Sequence, residues 1–390
     1  MKILFIHDFP AYYDKNKNEY YSTGFSYSIW QRYLKVFDEL NVVSRFKEIN
    51  DENHDYNISS GQFVKFSPIK EYTNFTSLIK NSRKINRKLT KEILNSDGVI
   101  IRLPSVLGFL SAMICKKANK PYLVEVVGSM FDAYWNYGNL LSKFLAFPGE
   151  LIQKQTVKNS DVAIYITKDY LQSKYPTKGN RFDSISNVVL DDDFDEKVNR
   201  KYKINNKPIR LGLVGSTYVH YKGHDLAIEA LSILLNKGYD ITLDFVGQGL
   251  SDNVKEMISK YNLNDRVYYK GVINSRNKMD EWYKSLDIYI QPSKTEGHGR
   301  AVVEAIGNGV TVIASNVGGL PDSVQKRFLF SSKDVYQFVE MIETCINSFN
   351  NRKENIDGNI NKVLKYKKST IQLERLEALT IFKDLIGGKN

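Results

Sequence analysis

Cysteine is nearly missing from this 390-residue chain, which has two. Cys115 and Cys345 stand in apolar helical contexts without ligand spacing, which argues against a zinc site and predicts two buried, reduced thiols. No apolar run reaches the length of a membrane span, and the best of them, VLGFLSAMIC, reads as a core or interfacial helix. The N-terminal MKILFIHDF has one lysine and an apolar run too short for a secretory signal, so it reads as a first strand of a cytoplasmic protein. A G-x-G-x-x-G fingerprint with a later acidic residue follows neither half's first strand, which argues against a nicotinamide-dependent dehydrogenase. Internal repeats and low-complexity stretches are lacking too. What is left, at 42% hydrophobic residues, is the composition of a folded chain long enough for two cores.

The formal charge of +11 invites a nucleic-acid partner, but the excess is spread over both halves and no recognition motif accompanies it. One concentration stands out. Lys80, Lys84, Arg87 and Lys91 recur at helical spacing, with Leu78, Ser82, Ile85, Leu89 and Ile93 opposite, which fits either a solvated helix face or a membrane-surface helix. Short apolar strands alternate with helical stretches, the pattern of parallel sheets flanked by helices. Strands are predicted at 2–6, 40–43, 98–101, 122–126 and 162–165. The same grammar restarts at 209–214, 241–246, 267–269, 288–291 and 310–314. Between the halves an acidic run, 191–196, passes into a polar, basic segment, placing a linker near 195–207.

The stretch QPSKTEGHGRAVVEAIGNGVTVIASNVGGLP, residues 291–321, carries the most chemistry. Its glycines let a backbone approach a ligand, and the helical composition of 300–308 makes a Gly-rich loop open a helix whose N-terminus attracts anions. Glu304 falls about one turn inside that helix, within reach of hydroxyls on a molecule whose phosphate rests on the helix end. A sugar nucleotide has both groups. Taken alone, Glu296 or Glu304 reads as a solvated carboxylate.

The whole string is another matter. PS-x-x-EG-x-G-x4-EA-x3-G, then VIAS and GG-x-P, closely resembles the E-x7-E signature of the family-four retaining glycosyltransferases. Their α/β architecture is GT-B, two Rossmann-like parallel-sheet domains facing a central cleft. The resemblance implies an acceptor-side domain at 1–196, a nucleotide-sugar donor domain at 207–369, and a terminal helix from about 370 to 390 crossing back onto the first. Leu373, Leu376, Leu379 and Phe382 recur on one face of that helix. It further implies that Glu296 contacts the donor sugar and Glu304 the ribose, with Gly297, His298, Gly299, Arg300 and Ala301 along the donor at the helix start.

A second motif, LVGSTYVHYKGHDLAIEAL at 213–231, places Lys222 at the mouth of a sheet, where a lysine neutralises a diphosphate as a point charge. On its own it reads as a loop lysine. The family's phrase pairs VG-Arg with a later KG, both cations gripping the leaving diphosphate. Gly215 and Lys222 match, but Ser216 stands in the arginine's place. The charge then comes from Arg300 as well, or from Lys222 and the helix end alone. Gly247 and Val272 follow later strands and read as lining a base pocket or as routine turns.

The first half follows the family loosely. Gly24 stands alone where relatives show paired glycines, and Val127 replaces a histidine; Asp132 is either its substitute or a helix cap. Residues 130–153, with Trp135, Tyr137, Phe144 and Phe147, read as core, or as a wall for a lipid-linked acceptor or an interfacial anchor. With the basic stripe, the second option implies peripheral attachment to an anionic membrane.

The chain therefore reads as a retaining transferase moving a sugar from a nucleotide diphosphate sugar, a UDP-sugar, to a hydroxyl of a glycan or lipid-linked glycan in capsule-type polysaccharide synthesis. No cofactor or metal is expected beyond the donor, since no D-x-D pattern ends a strand and 191–193 reads as solvated. The alternative is a non-catalytic sugar-nucleotide or glycan-binding subunit. Ser216 and Val127 favour it; Lys222, Glu296 and Glu304 count against it.

Overall fold

The computed structural model describes residues 1–49, 56–136, 140–204 and 207–388; Tyr137 of the aromatic segment and positions 205 and 206 of the linker lie outside them. Among the described residues there are two sheets. The first holds β1 (Lys2–Asp14), β2 (Glu19–Ser22), β3 (Glu39–Glu48), β4 (Asn57–Ile58), β5 (Val64–Phe66), β6 (Gly98–Leu103), β7 (Tyr122–Val126), β8 (Val162–Tyr165) and β9 (Asn180–Phe182). Parallel pairing runs β5-β3-β1-β6-β7-β8-β9. The second sheet holds β10 (Ile209–Val214), β11 (Ile241–Val246), β12 (Val267–Tyr269), β13 (Ile288–Gln291), β14 (Thr311–Ser315) and β15 (Leu329–Phe330). It is parallel throughout, in the order β12-β11-β10-β13-β14-β15. Both orders reverse beside the sheet's first strand, and a crevice opens outside the carboxyl ends at each reversal.

Strands β11, β13 and β14 are buried along their whole length, because helices cover both faces of a parallel sheet and leave no side to alternate toward water. The first strand runs well past the predicted 2–6. After a register shift between Ile6 and Pro10 it continues to Asp14 and returns as antiparallel β2. Tyr13 packs on Tyr20 and Tyr20 stacks on Phe66, which holds this arm together.

A carboxylate lies in the middle of the first sheet. Glu125 of β7 is 2% exposed and faces Arg102 at 2.7 Å, Arg375 at 3.5 Å and Arg32 at 3.7 Å, while Tyr33 donates to it at 2.7 Å. Burial alone would raise its pKa, but the three guanidiniums outweigh burial and hold it down at about 2. Arg375 belongs to the last helix, Lys368–Gly387, which buries Ile371, Arg375, Ala378, Leu379, Phe382 and Ile386. The predicted face was partly wrong. Leu373 is 68% exposed and Leu376 41%, because the inward face includes an arginine that sequence patterning counts as outward. Phe382 and Ile386 pack on Gly98 of the first sheet.

The basic stripe spans two helices, Phe75–Lys80 and Ser82–Leu94, divided at Asn81. Leu78, Ile85, Leu89 and Ile93 are buried, whereas Ser82 is exposed with the charges. Lys84 is tied to Glu71 at 2.8 Å. The helix Leu140–Lys158 leaves Leu140, Phe144, Phe147, Leu151 and Ile152 exposed. Among the described residues no helix is long and apolar enough to cross a membrane. Both cysteines are buried, which pushes their thiols up to about 12.

Candidate functional site

The second sheet's reversal, between β10 and β13, is where the two motifs meet. Past β10 the chain crosses Gly215 and Ser216 to a 3-10 turn, His220–Lys222, and enters the helix His224–Asn236 through Gly223. Gly223 has φ +77°, and a Cβ there would stand 1.9 Å from the Pro292 carbonyl oxygen. Only glycine lets this turn press against the loop that follows β13. Lys222 lays its stem over Gly215, where an added Cβ would meet the lysine Cγ at 3.0 Å. Its Nζ then reaches Glu296 Oε2 at 2.8 Å, and Ser293 donates to the same oxygen at 3.3 Å.

After β13 the loop ends at Gly299, in the left-handed region at φ +77°, and the helix Arg300–Gly307 begins. Val302, Val303, Ala305 and Ile306 bury one face, which seats the helix on the sheet and aims its N-terminus outward. Among the described residues no side chain caps that end, so its first-turn amides keep their affinity for an anion. Glu304 accepts a hydrogen bond from Tyr283 at 3.0 Å. Burial raises its pKa above the ordinary value, against the opposing pull of Arg300 and Tyr283.

The two glutamates face different spaces. A cavity of about 890 Å³ is lined by Val214, Gly247, Val272, Met279, Arg300 and Glu304, with residues 187–191, just ahead of the predicted linker, as its other wall. A second, of about 190 Å³, lies between Glu296, Gly297 and Tyr221 on one side and Ser129, Asp132 and Tyr170 on the other. The bonded Lys222 and Glu296 join the loops that bound them. Of the residues singled out in the sequence, Gly247, Val272, Arg300 and Glu304 gather at the larger space, Glu296 and Gly297 at the smaller. Gly215 supports Lys222, and Gly299 with Ala301 forms the helix start.

The other three behave differently. Ser216 donates its hydroxyl to the Gln248 carbonyl at 2.9 Å, so it braces a turn. Gly24 lies outside both linings, on an exposed bend of the first half beside Ser22. His298 turns inward and is 4% exposed, with Nε2 2.8 Å from Ser186 Oγ and its ring edge-on to Tyr366. Burial, aided by Lys365 and Arg300, lowers its pKa to about 3.

Sequence reasoning missed several wall residues. Met279, Asp280 and Lys284 gave no signal, since each reads as ordinary helix. Asp132 is not the helix cap; Ser129 caps the helix Met130–Trp135 by accepting from the Asp132 amide at 3.1 Å. The Asp132 carboxylate instead takes the Tyr170 hydroxyl and the Lys174 ammonium. Across the cleft, an added Cβ on Gly297 would stand 3.0 Å from the Val127 carbonyl, so the loops of the two sheets touch at the small cavity.

Comparison with known proteins gives a consistent picture. A family described as Glycosyl transferases group 1 matches residues 194–362. The chain is 49% identical to Protein CapJ of Staphylococcus aureus, over 99% of this chain and 97% of that protein. An uncharacterized glycosyltransferase of Haemophilus influenzae is 30% identical over 75% of this chain and 76% of its own length. CapM of S. aureus, a capsular polysaccharide biosynthesis glycosyltransferase, is 28% identical over 47% of this chain and 49% of its own. Among solved structures, sucrose-phosphate synthase from Thermosynechococcus elongatus superposes with a TM-score of 0.71 at 14% identity, covering both chains fully. Anabaena HepE, solved in complex with UDP and glucose, gives 0.66 at 16% identity, over 98% of this chain and all of its own.

Proposed function

The chain belongs to the group 1 glycosyl transferases and has the GT-B fold, and from that premise we propose that it transfers a sugar from a UDP-sugar, with retention, to a hydroxyl of a growing capsular polysaccharide. The observation that carries the reading is the Lys222–Glu296 pair, set between a large cavity holding Glu304 and a small one shared with the first sheet. The UDP complex of HepE supports the donor class, and the resemblance to CapM supports the capsular acceptor. In this reading the second sheet is the donor domain and the first the acceptor domain.

Each residue's task follows from where charge develops. The nucleoside occupies the larger cavity with its ribose hydroxyls on Glu304, and the diphosphate rests on the N-terminus of the helix Arg300–Gly307. The sugar enters the smaller cavity, where Glu296 and the Asp132–Tyr170 pair accept and donate to its hydroxyls. Breaking the glycosidic bond leaves negative charge on the diphosphate, so Lys222 and the helix amides stabilise the transition state more than the bound donor. With Ser216 committed to its turn, Arg300, at the helix start and in the wall of the larger cavity, is the further cation assigned to the diphosphate. The leaving phosphate oxygen then takes the proton of the incoming hydroxyl on the same face, which is how configuration is retained. No cofactor is assigned, because Lys222 and the helix end meet the diphosphate charge.

Two further parts complete the proposal. The exposed apolar face of the helix Leu140–Lys158, with the exposed basic residues of the helix Ser82–Leu94, seats the enzyme peripherally on an anionic membrane on the cytoplasmic side. One apolar and one basic element together bind more firmly than either alone. A binding-only subunit is disfavoured by the intact Lys222–Glu296 pair, which recognition of a nucleotide sugar does not require.

A thermal-shift screen over UDP-, GDP- and ADP-sugars, followed by donor hydrolysis in excess chelator, tests the reading. A UDP-sugar is expected to raise the melting temperature and to be hydrolysed. Binding without hydrolysis or transfer would favour the binding subunit, and hydrolysis lost to chelator and restored by magnesium would refute the charge assignment.

A further inference from the structure

His298 lines neither cavity, although it stands between two glycines of the loop that carries Glu296. Its side chain explains little as packing. A hydrocarbon ring would pack on Tyr366 equally well, and Nδ1 is buried with no hydrogen-bond partner among the described residues. What the imidazole gains is the 2.8 Å bond to Ser186 Oγ. Ser186 is fully buried in the segment that leaves the first sheet after β9. Its hydroxyl oxygen also accepts the Val188 amide at 2.9 Å. Its carbonyl accepts from Arg375 Nη2 at 2.9 Å, and Arg375 is itself paired with Glu125 in the first sheet. The donor loop is therefore fastened through His298 and Ser186 to a charge cluster in the opposite domain.

Nearby contacts sharpen the point. Asp322, in the 3-10 turn that follows β14, accepts the Lys168 amide of the first half at 2.7 Å. Gly319 leaves no room for a Cβ between Thr167 of the first half and the Gly297 carbonyl. The cleft floor is thus a row of close contacts crossed by hydrogen bonds, and the one between His298 and Ser186 reaches into the loop between Glu296 and the helix N-terminus.

We propose that His298 is a positioning residue: its hydrogen bond to Ser186 holds the loop 296–299 against the first domain, so that Glu296 and the helix amides stand in place when the domains close. The neutral ring suits this, since burial keeps it unprotonated at working pH. The inference rests on the glycosyl-transfer reading for its consequence, but the contact itself can be tested without turnover.

The test uses His298→Phe, Ser186→Ala, the double variant, and His298→Gln, whose amide reaches the Nε2 position and can bond Ser186 again. Each single variant is expected to lower kcat about tenfold, the scale of one lost hydrogen bond, with nucleotide Kd within about twofold of wild type. The double variant should be no worse than either single, and Gln should recover most of the loss. Unchanged kcat, additive losses, or nucleotide affinity falling in step with kcat would overturn the proposal. Hydrogen exchange of peptides covering 184–190 and 296–301 in the nucleotide-free protein gives a second readout. Faster exchange in His298→Phe at unchanged Tm supports the latch, and wild-type exchange in both segments refutes it. Should no UDP-sugar be turned over by the wild type, the functional reading fails and the exchange result still decides the contact.

Discussion

Replacing Lys222 with methionine keeps the stem that crosses Gly215 and removes only the charge. In the free protein that charge is held by Glu296 at 2.8 Å, with the two side chains 22% and 13% exposed. A donor diphosphate must therefore draw Lys222 away from one carboxylate, exchanging an ion pair for another. The net gain in the bound donor is small, about 1 kcal/mol on the scale of partly exposed pairs. During bond cleavage the diphosphate gains further charge with no such exchange. A unit charge about 4 Å from the ammonium is worth ~4 kcal/mol at an effective dielectric near 20. Allowing for incomplete charge development, Lys222→Met should lower kcat roughly 30- to 1000-fold and weaken donor binding less than about fivefold. Hydrolysis at saturating UDP-sugar gives the first quantity, and calorimetry with a non-hydrolysable donor analogue gives the second. Equal losses in both would mean uniform binding, and full activity would move the role to Arg300.

Glu304→Ala should weaken UDP binding about 10- to 150-fold, the loss of a charged hydrogen bond worth roughly 1.5–3 kcal/mol; unchanged affinity at unchanged Tm removes Glu304 from the site. Because burial raises the Glu304 carboxyl and the proposed ribose contact needs the carboxylate, binding in that reading is linked to loss of a proton. Affinity should rise with pH through that raised value and level off above it, and Glu304→Gln should flatten the profile. Glu125→Gln leaves three arginines without their counter-charge and should cost roughly 3–5 kcal/mol in denaturant unfolding. Since Glu125 is held at about 2, its stabilisation is present above the ordinary glutamate range and lost as pH falls through about 2. A variant as stable as wild type at neutral pH would disprove the role. Reversing Lys84, Arg87 and Lys91 to Glu should release the protein from anionic liposomes, each basic residue contributing about 1 kcal/mol. Phe144→Ser with Phe147→Ser should weaken binding at any salt; sedimentation like wild type by both variants would leave two solvated helix faces.

How much was legible without coordinates depended on range. The two parallel sheets were readable because strand and helix periodicity are local, and strands buried on both faces announce themselves as apolar runs. The loop-to-helix turn was readable for the same reason: Gly299 and the residues that follow it dictate a left-handed turn and a helix start within a few positions of one another. Periodicity failed at several short strands, β2, β4 and β15 among them, and where an arginine faces inward, as Arg375 does in the last helix. Its burial is decided by Glu125, 250 positions earlier, and no window along the chain contains both. The same holds for His298. Beside two glycines and a glutamate it reads as a ligand contact, and only the closing of the second sheet against the first turns its ring to Ser186. Local chemistry chose the residues suited to a sugar nucleotide; the folded chain decided which of them line a cavity, because side-chain direction follows from burial and pairing between segments that sequence order keeps far apart.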